Sequence, residues 1–565
     1  MDSATSFNLS ALFNAIAQAI PDQTFLIWRD KRLTYRDVNS RVDGIAHYLH
    51  SLGLGCRIER AHLANHESGQ DHLALYLRNG NEYLEAMIGS YRARVAPFNC
   101  SFRYVESELH YLLNDSQAAA VVYNAEFAPR VAAVRDRLPT LKHLIQVEDQ
   151  SGNPLLPGAV AYESIVGTAP PASPMPDPTG DDLYILYTGG TTGMPKGVLW
   201  RQHDIFVSAM GGRPHSSTVP FTSYHDIVEQ ARAAAGSMSF LLLPPLMHGA
   251  AQWMAFQAIT LGGLLVIPDH VDRLQPAEVL RLAEREGVRC IPVVGDAIAR
   301  PLMAEIQAGD YDLSSVLLVT NGGAALSPTV RDALTSALPH AALLDGVGAS
   351  ESGSQMSVVL SADHDDEVSV FTPQPDTAVL AEDLSSVLTG GAGGEGWLAR
   401  RDYIPLGYLG DRAKTEKTFP TVDAVRWSVP GDRARALPDG RIELLGRDSA
   451  TINSGGEKIF AEEVERAVAC HPAVYDVVVV GRPSQRWGSE VVAVVQLVEG
   501  AEPTDTELRE VCAQHLAGYK IPKSFVRTPN VMRSPAGKAD YRWAKQVAVR
   551  DTHTHHDDRD TAAAL

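Results

Sequence analysis

Glycine, threonine and lysine residues are concentrated in one short stretch of the chain, residues 184–197, YILYTGGTTGMPKG. An apolar run over residues 183–187 predicts a buried strand that leads directly into this stretch. Glycines let backbone N–H groups approach an anion closely, threonine hydroxyls add hydrogen-bond donors, and the lysine adds a positive charge. The stretch therefore predicts a loop that binds the phosphates of a nucleotide triphosphate. Its candidate binding residues are Thr188, Gly189, Gly190, Thr191, Thr192, Gly193 and Lys196.

The loop is not a Walker A loop, because Pro195 precedes the lysine and Gly197 follows it. On composition alone it could also be an ordinary surface turn. The complete string resembles the signature loop of the adenylate-forming superfamily, which includes acyl-CoA synthetases, amino-acid adenylation domains and firefly-type luciferases. The resemblance implies ATP and coenzyme A as substrates, Mg²⁺ as the metal, and Thr188 as part of the charge-stabilising loop.

Three later strings resemble further motifs of this superfamily, in the superfamily's order. In residues 244–249, PPLMHG, the resemblance implies that His248 lies beside the reacting carboxylate, although a lone histidine is often structural. An apolar run over residues 314–320 predicts a strand that leads into the next string. Residues 321–326, NGGAAL, resemble the adenine and substrate wall, whose candidate residues are Gly322, Gly323 and Ala324. Residues 344–351, LDGVGASE, resemble the motif whose final glutamate holds the metal.

In that last motif the resemblance implies that Glu351 binds Mg²⁺ and that Ser350 provides a hydroxyl near the α-phosphate. Mg²⁺ uses one or two carboxylates together with phosphate oxygens. Asp345 and Gly346 are also candidate nucleotide-binding residues. Val347 stands where the superfamily usually has an aromatic residue that covers the adenine. Losing that stacking weakens adenine binding by about 0.5–1.5 kcal/mol.

Residues 404–408, IPLGY, resemble part of the superfamily segment that leads to Asp432. The resemblance implies that Asp432 accepts hydrogen bonds from the ribose hydroxyls and that Arg447 reaches the ribose from the other side. Ser454, Gly455 and Gly456 resemble the passage for the pantetheine arm of coenzyme A, although two glycines before a helix are also a common turn. Lys538, in the string RSPAGK, resembles the catalytic lysine of the superfamily. A lone lysine is usually a solvated surface charge, but an ammonium group aimed at the α-phosphate stabilises charge as it develops.

Thr34 and Asp37 predict a capping box at the start of a helix that Gly53 closes. Repeated alternation of helices and strands predicts a layered α/β fold. The resemblance implies a large N-terminal adenylation domain over residues 1–448 and a small, mobile α+β domain over residues 449–550, with a hinge at Ser449. Residues 551–565 predict a disordered tail, with a histidine-containing metal site as the alternative. Residues 200–240 predict an insertion, which is either a surface excursion or a wall of the acid pocket.

Composition excludes several classes of partner. The net charge of −19 argues against nucleic acid, and the longest apolar stretches are too short for a membrane span. The five scattered cysteines lack metal-ligand spacing, and no signal peptide is recognisable, so a cytoplasmic location is expected. A homodimer is a possible assembly that composition does not decide.

Several strings, among them residues 102–106 and 299–302, resemble bacterial acyl-CoA synthetases that activate bulky acids, notably the side-chain carboxylates of steroid degradation. The resemblance therefore implies AMP-forming ligation of a bulky hydrophobic acid to coenzyme A. A synthetase for medium or long straight-chain fatty acids is the first alternative. Transfer of the acyl group to a carrier protein, luciferase-like oxidation, and a catalytically silent acyl or nucleotide binder are the others.

Overall fold

The protein is described from a computed structural model that covers residues 6–167, 174–188, 194–214, 217–324, 326–360, 369–388, 394–454, 457–484, 488–534 and 537–550. Several predictions fall outside the described residues. These are the tail over residues 551–565 and the candidate binding residues Gly189, Gly190, Thr191, Thr192, Gly193, Gly455 and Gly456.

The helices of the described residues lie in both halves of the chain. They are α1 (Leu9–Ala19), α2 (Tyr35–Ser51), α3 (Asn81–Arg92), α4 (Glu106–Asp115), α5 (Ala128–Arg135), α6 (Tyr162–Val166), α7 (Gln202–Ala209), α8 (Tyr224–Ala234), α9 (Gly249–Thr260), α10 (Pro276–Arg285), α11 (Gly295–Ala308), α12 (Pro328–Ala337), α13 (Arg412–Thr418), α14 (Ala461–Ala469) and α15 (Asp505–His515). Residues 541–550 are also helical, and 3₁₀ turns cover Arg60–His62, Ala125–Phe127 and Asp448–Ala450. None of the helices in the described part of the chain has the length and apolar character that crossing a membrane requires.

Strands occur along the chain from residue 24 to residue 527. They are β1 (Thr24–Trp28), β2 (Lys31–Thr34), β3 (His72–Tyr76), β4 (Ala96–Asn99), β5 (Ala118–Asn124), β6 (His143–Val147), β7 (Ala159–Ala161), β8 (Leu183–Thr188), β9 (Lys196–Arg201), β10 (Ser239–Leu241), β11 (Leu264–Ile267), β12 (Cys290–Val293), β13 (Leu318–Gly322), β14 (Ala342–Ala349), β15 (Gly353–Leu360), β16 (Val370–Pro373), β17 (Thr377–Leu380), β18 (Val387–Leu388), β19 (Glu395–Arg401), β20 (Gly407–Tyr408), β21 (Thr421–Val422), β22 (Val425–Ser428), β23 (Asp432–Ala436), β24 (Ile442–Arg447), β25 (Thr451–Ser454), β26 (Glu457–Phe460), β27 (Val474–Ser484), β28 (Gly488–Leu497) and β29 (Ser524–Arg527).

Two large sheets organise residues 6–447. One has the order β20-β9-β8-β4-β3-β5-β6-β7, and its strands from β8 to β7 run parallel. The other is parallel from β1 through β11, β10, β12 and β13 to β14 and continues as antiparallel strands β15, β16, β24, β23, β19, β17 and β18. This confirms the predicted α/β class.

The largest hydrophobic core lies between the two sheets. Leu265 from one sheet and Trp200 from the other share it with residues of α1, α2, α3, α7 and α9. Further cores cover the outer face of each sheet, where α4 and α5 pack on one side and α10, α11 and α12 on the other. The result is a stack of alternating helical and sheet layers, as expected for a domain that buries both faces of parallel sheets.

Residues 451–550 form a separate small unit, which we call the C-terminal unit. Its strands order as β27-β28-β29, β25 pairs with β26, and apolar residues of α14 and α15 cover one face of the three-stranded sheet. The helix over residues 541–550 covers the other face through Ala544 and Ala548. The combination of helices with a mainly antiparallel sheet is the α+β organisation expected from the sequence.

Two local predictions need correction. Residues 200–240 are not a surface excursion, because Phe206 of α7, Met210 and Ile227 of α8 are fully buried in the core between the sheets. The two helices are therefore part of the layered core. The strand predicted over residues 314–320 is β13, which begins only at Leu318, because a turn closed by the Val316 N–H and the Leu313 carbonyl precedes it.

Candidate active site

The predicted site residues of the larger unit lie where parallel strands end. Thr188 ends β8, Gly322 ends β13, and Asp345 to Val347 lie in the last part of β14. Ligands of open α/β sheets bind outside the carboxyl ends of the strands. The sheet topology therefore puts the motifs of both sheets at the carboxyl ends of parallel strands.

Lys196 lies at the base of the phosphate loop rather than within it, because it is the first residue of β9 and pairs in register with Thr188. Its ammonium group is 3.6 Å from an Asp115 carboxylate oxygen. The Tyr187 hydroxyl donates to the other Asp115 oxygen at 2.9 Å. Asp115 at the end of α4 thus fixes Lys196 beside the loop.

Side chains from elsewhere in the fold hold the turn that carries Glu351 through hydrogen bonds to its backbone carbonyls. The Trp200 indole N–H donates to the Ser350 carbonyl at 2.9 Å, and the Ser428 hydroxyl donates to the Glu351 carbonyl at 2.5 Å. The fully buried Arg400 guanidinium donates to the Ser352 carbonyl at 3.0 Å. Three different elements therefore fix the direction in which the Glu351 side chain leaves the backbone.

The Glu351 carboxylate accepts one hydrogen bond from the described part of the chain. The Tyr408 hydroxyl donates to its Oε1 atom at 2.8 Å, and the Lys414 ammonium lies 3.9 Å from the centre of the Tyr408 ring. Sequence reasoning quoted Tyr408 without giving it a role. Its only sequence signal is its place in the string IPLGY, three residues after Pro405.

Asp432 and Arg447 face each other across the β23–β24 pair. They are register partners, and the Arg447 Nε atom is 2.7 Å from an Asp432 carboxylate oxygen. Burial raises the pKa of Asp432, and Arg447 opposes that rise. Asp432 in turn raises the pKa of Arg447. The predicted ribose-binding pair is thus preformed as an ion pair.

Asp345 is connected to the neighbouring strands through Asn321, a residue that sequence reasoning placed only in the wall motif. The Asn321 amide donates to the Asp345 carboxylate at 2.7 Å and to the Ala324 carbonyl at 2.9 Å, while its oxygen accepts from the Gly295 N–H at 2.8 Å. Burial raises the pKa of Asp345 to about 6, against the hydrogen bonds from Asn321 and the Gly346 N–H.

His248 immediately precedes α9, and its chain segment is held by two asparagines. Asn79 accepts from the Leu246 N–H at 2.7 Å, and Asn99 donates to the Met247 carbonyl at 2.7 Å. The Nε2 atom of His248 is buried and has no hydrogen-bond partner among the described residues. Burial lowers the pKa of His248 to about 4, and the positive charges of Arg103 and Lys538 act in the same direction. The imidazole is therefore neutral at neutral pH.

Lys538 is brought from the C-terminal unit to this cluster. Although the residue as a whole is exposed, desolvation of its ammonium group lowers the pKa of Lys538, as does Arg447, while Glu351 and Asp432 raise it. The Lys538 ammonium group is therefore within electrostatic reach of Glu351, of the Asp432–Arg447 pair and of His248.

Other predicted residues are positioned less directly. Val347 is half-buried and packs against the apolar cluster that contains Met356 and Phe371, which is a structural contact for the residue expected to cover the adenine. Gly323 has a φ of 82°, a conformation that favours glycine. Ser454 ends β25, opposite Glu457 in the β25–β26 pair.

The residues present fit a magnesium ion. Within the described residues no group of three or more His, Cys, Asp or Glu side chains comes together as a metal centre. A single carboxylate such as Glu351, one oxygen of which is engaged by Tyr408, is the kind of protein ligand that Mg²⁺ combines with substrate phosphates. A metal that depended on protein ligands alone would not fit this site.

Comparison with known proteins places these features in a family. Residues 13–409 match the AMP-binding enzyme family, and residues 463–538 match the AMP-binding enzyme C-terminal domain. The chain is 56% identical over 548 residues to the medium-chain acyl-CoA ligase Mig of Mycobacterium avium, covering 97% of this chain and 99% of that protein. It is 36% identical over 562 residues to the medium/long-chain-fatty-acid–CoA/3-oxocholest-4-en-26-oate–CoA ligase of Mycolicibacterium smegmatis, covering 98% of this chain and 99% of that protein.

The fold is also that of a solved adenylate-forming enzyme. The anthranilate CoA ligase AuaEII in complex with anthranoyl-AMP superposes with a TM-score of 0.79 at 19% identity, over 98% of this chain and 99% of that one. The family match covers well over half of the chain, and both relatives match along nearly its full length. The chain therefore belongs to the AMP-binding enzyme family and, within it, to the acyl-CoA ligases.

Proposed function

We propose that this acyl-CoA ligase converts a hydrophobic carboxylic acid to its coenzyme A thioester through an acyl-adenylate formed at the cluster of Glu351, Asp432, Arg447 and Lys538. The observation that carries the proposal is the convergence of the Lys538 ammonium, from the C-terminal unit, on the three residues of the larger unit.

In the first half-reaction, a carboxylate oxygen of the acid attacks the α-phosphorus of ATP, and the bond to pyrophosphate breaks. Lys538 stabilises the negative charge that develops between the acid and the α-phosphate. Asp432 and Arg447 hold the ribose, and the loop that begins at Thr188, with Lys196 at its base, holds the phosphates. Mg²⁺ held by Glu351 would offset the charge of the triphosphate.

In the second half-reaction, the coenzyme A thiolate attacks the acyl carbonyl, and AMP leaves with the electron pair of the acyl–phosphate bond. The neutral His248 lines the acid side of the cleft and adds no charge there. Rotation of the C-terminal unit about Ser449, within the 3₁₀ turn Asp448–Ala450, would remove Lys538 and admit the pantetheine arm past Ser454. Boundaries at residues 448 and 449 for the two domains belong to this proposal.

Two classes of acid are each favoured by a specific observation. Motifs such as residues 102–106 favour a bulky acid of the steroid side-chain type, and the relative at 36% identity is named for acids that include a steroid carboxylate. The relative at 56% identity is named for medium-chain acids, which favours straight chains. Helix α7 packs on β15, next to the Glu351 turn, and residues 200–240 are proposed as one wall of the acid pocket.

The test is AMP release that depends on both ATP and coenzyme A, measured across steroid side-chain acids, straight medium- and long-chain acids, and aryl acids. Lys538→Ala is the control for chemistry at the proposed site. Preference for steroid acids or for straight chains decides between the two classes. AMP release without coenzyme A, or equal negligible pyrophosphate exchange by wild type and Lys538→Ala, would contradict the proposal.

A cytoplasmic location and the assembly state are further parts of the proposal. The five cysteines are all unpaired, which supports a reducing compartment. A homodimer is proposed only as the alternative to a monomer. Light scattering of the purified chain separates the two states.

A further inference from the structure

Arg533 binds the backbone next to the proposed catalytic lysine. Its Nε and Nη2 atoms donate to the two oxygens of Asp476 at 2.8 and 2.6 Å, which is a bidentate pair. Its Nη1 atom donates to the Gly537 carbonyl at 3.2 Å, and Nη2 also reaches the Val477 carbonyl at 3.3 Å. The guanidinium group thus connects β27 to the peptide bond that leads into Lys538.

The remaining backbone groups of Lys538 are bound locally. Its N–H donates to the Ser534 hydroxyl at 3.2 Å, and its carbonyl accepts from the Ser534 N–H at 2.7 Å. Arg533 and Ala539 form an antiparallel bridge at the base of the same turn. Arg533 is therefore the contact that fixes this turn to the sheet of the C-terminal unit.

The same edge of the C-terminal unit touches the larger unit. Tyr475, which precedes Asp476 in β27, lies under the Arg300 guanidinium at 4.8 Å, and Arg300 pairs with Asp296 at 2.7 Å. A Cβ atom added to Gly537 would lie 3.5 Å from the Val294 carbonyl oxygen. The segment that holds Arg533 and the turn that holds Lys538 are thus seated on one surface of the larger unit.

We propose that Arg533, oriented by Asp476, is a positioning residue for Lys538 in adenylate formation. The inference rests on the proposed function, since it assumes that Lys538 acts in that half-reaction. A lysine ammonium sits at the end of a flexible four-carbon stem, so its position depends on the direction set by its backbone. A misplacement of about 1 Å in a catalytic group lowers a rate by about 100-fold.

The first experiment separates the two half-reactions. Arg533→Gln and Asp476→Asn are compared with wild type in pyrophosphate exchange and in thioester formation from synthetic acyl-adenylate. We expect exchange to fall at least about tenfold and thioester formation to stay within about twofold, because Lys538 leaves the site before the thiol attacks. The matched control is Arg482→Gln, which breaks the Arg482–Glu490 pair, 2.7 Å apart on the same sheet, and the Arg482 hydrogen bonds to the Ser524 hydroxyl and the Ala548 carbonyl.

Equal loss of both half-reactions, or loss equal to that of Arg482→Gln, would show a structural role and overturn the inference. A second test uses Lys538→Ala and the double variant. If Arg533 acts through Lys538, adding Arg533→Gln to Lys538→Ala lowers exchange no further, whereas independent roles multiply. Unchanged exchange in Lys538→Ala alone would overturn the assigned role of Lys538, which is a failure of the proposed function rather than of the positioning contact.

A third measurement does not depend on activity. Amine-reactive labelling followed by mass spectrometry compares Lys538 with the exposed Lys523 in wild type and Arg533→Gln. We expect labelling of Lys538 alone to fall at least about twofold in the variant, because an ammonium group that leaves its desolvated place beside Arg447 regains its ordinary pKa and offers less free amine to the reagent. Equal labelling of Lys538 in the two proteins would overturn the inference even if activity changed.

Discussion

Replacement of Asp345 by asparagine should make the protein more stable and less able to bind ATP. Burial raises the pKa of Asp345 from 3.8 to about 6, so its ionised form destabilises the folded state. The folded protein binds more protons than the unfolded chain between these two values. Stability is therefore lost as the pH rises through this window, and the full cost is present above pH 6.

The size of the effect follows from the shift. A rise from 3.8 to about 6 corresponds to about 3 kcal/mol at pH 8 and to about half of that at pH 5. Asparagine keeps an oxygen for the Asn321 amide but loses one acceptor for the Gly346 N–H, which costs about 1 kcal/mol. The net gain for Asp345→Asn is therefore about 2 kcal/mol at pH 8 and below about 1 kcal/mol at pH 5.

Chemical denaturation of wild type and Asp345→Asn at both pH values measures this gain, with the exposed Asp310→Asn as the control. An equal gain at pH 5 and pH 8, or none at pH 8, would refute the assignment of the cost to the buried charge. The same variant should raise the KM for ATP, because Asp345 is a candidate nucleotide-binding residue. A stabilised variant with an unchanged KM would remove Asp345 from the nucleotide site.

Three further predictions concern neighbouring contacts. Tyr408→Phe should raise the Mg²⁺ concentration needed for half-maximal activity about tenfold, because the hydroxyl that orients Glu351 is lost. A Mg²⁺ titration of activity measures this concentration. Tyr475→Ala should lower pyrophosphate exchange by about two- to fivefold, the value of one exposed cation–π contact, and leave thioester formation from acyl-adenylate unchanged. Protonation of His248 should lower the free energy of unfolding by about 3 kcal/mol between pH 6.5 and pH 4, because burial lowers the pKa of His248 to about 4. His248→Gln should therefore lose less thermal stability than wild type when the pH is lowered to 5.

Local structure was predictable wherever one physical signal dominated. The Thr34 and Asp37 capping box forms as expected, with the Asp37 N–H donating to the Thr34 hydroxyl at 3.1 Å, and the helix α2 ends before Gly53, whose φ is 72°. Apolar runs such as residues 183–187 became buried strands. In residues 200–240 the apolar side chains were visible, but only the packing of α7 and α8 between two sheets shows that they belong to the core.

Some residues of the candidate site can be identified from the sequence, and others only from the folded structure. Residues in recognisable strings, such as Glu351 and Lys538, could be named from order alone, because each string has a fixed place in the superfamily. Tyr408 and Arg533 were quoted within such strings, yet nothing in their spacing gives them a partner. Their roles follow from contacts across the fold, Tyr408 with a carboxylate 57 positions away and Arg533 with one 57 positions away on another strand. Candidate substrate-binding residues are therefore visible in the sequence, while the contacts that orient their side chains are visible only once the chain is folded.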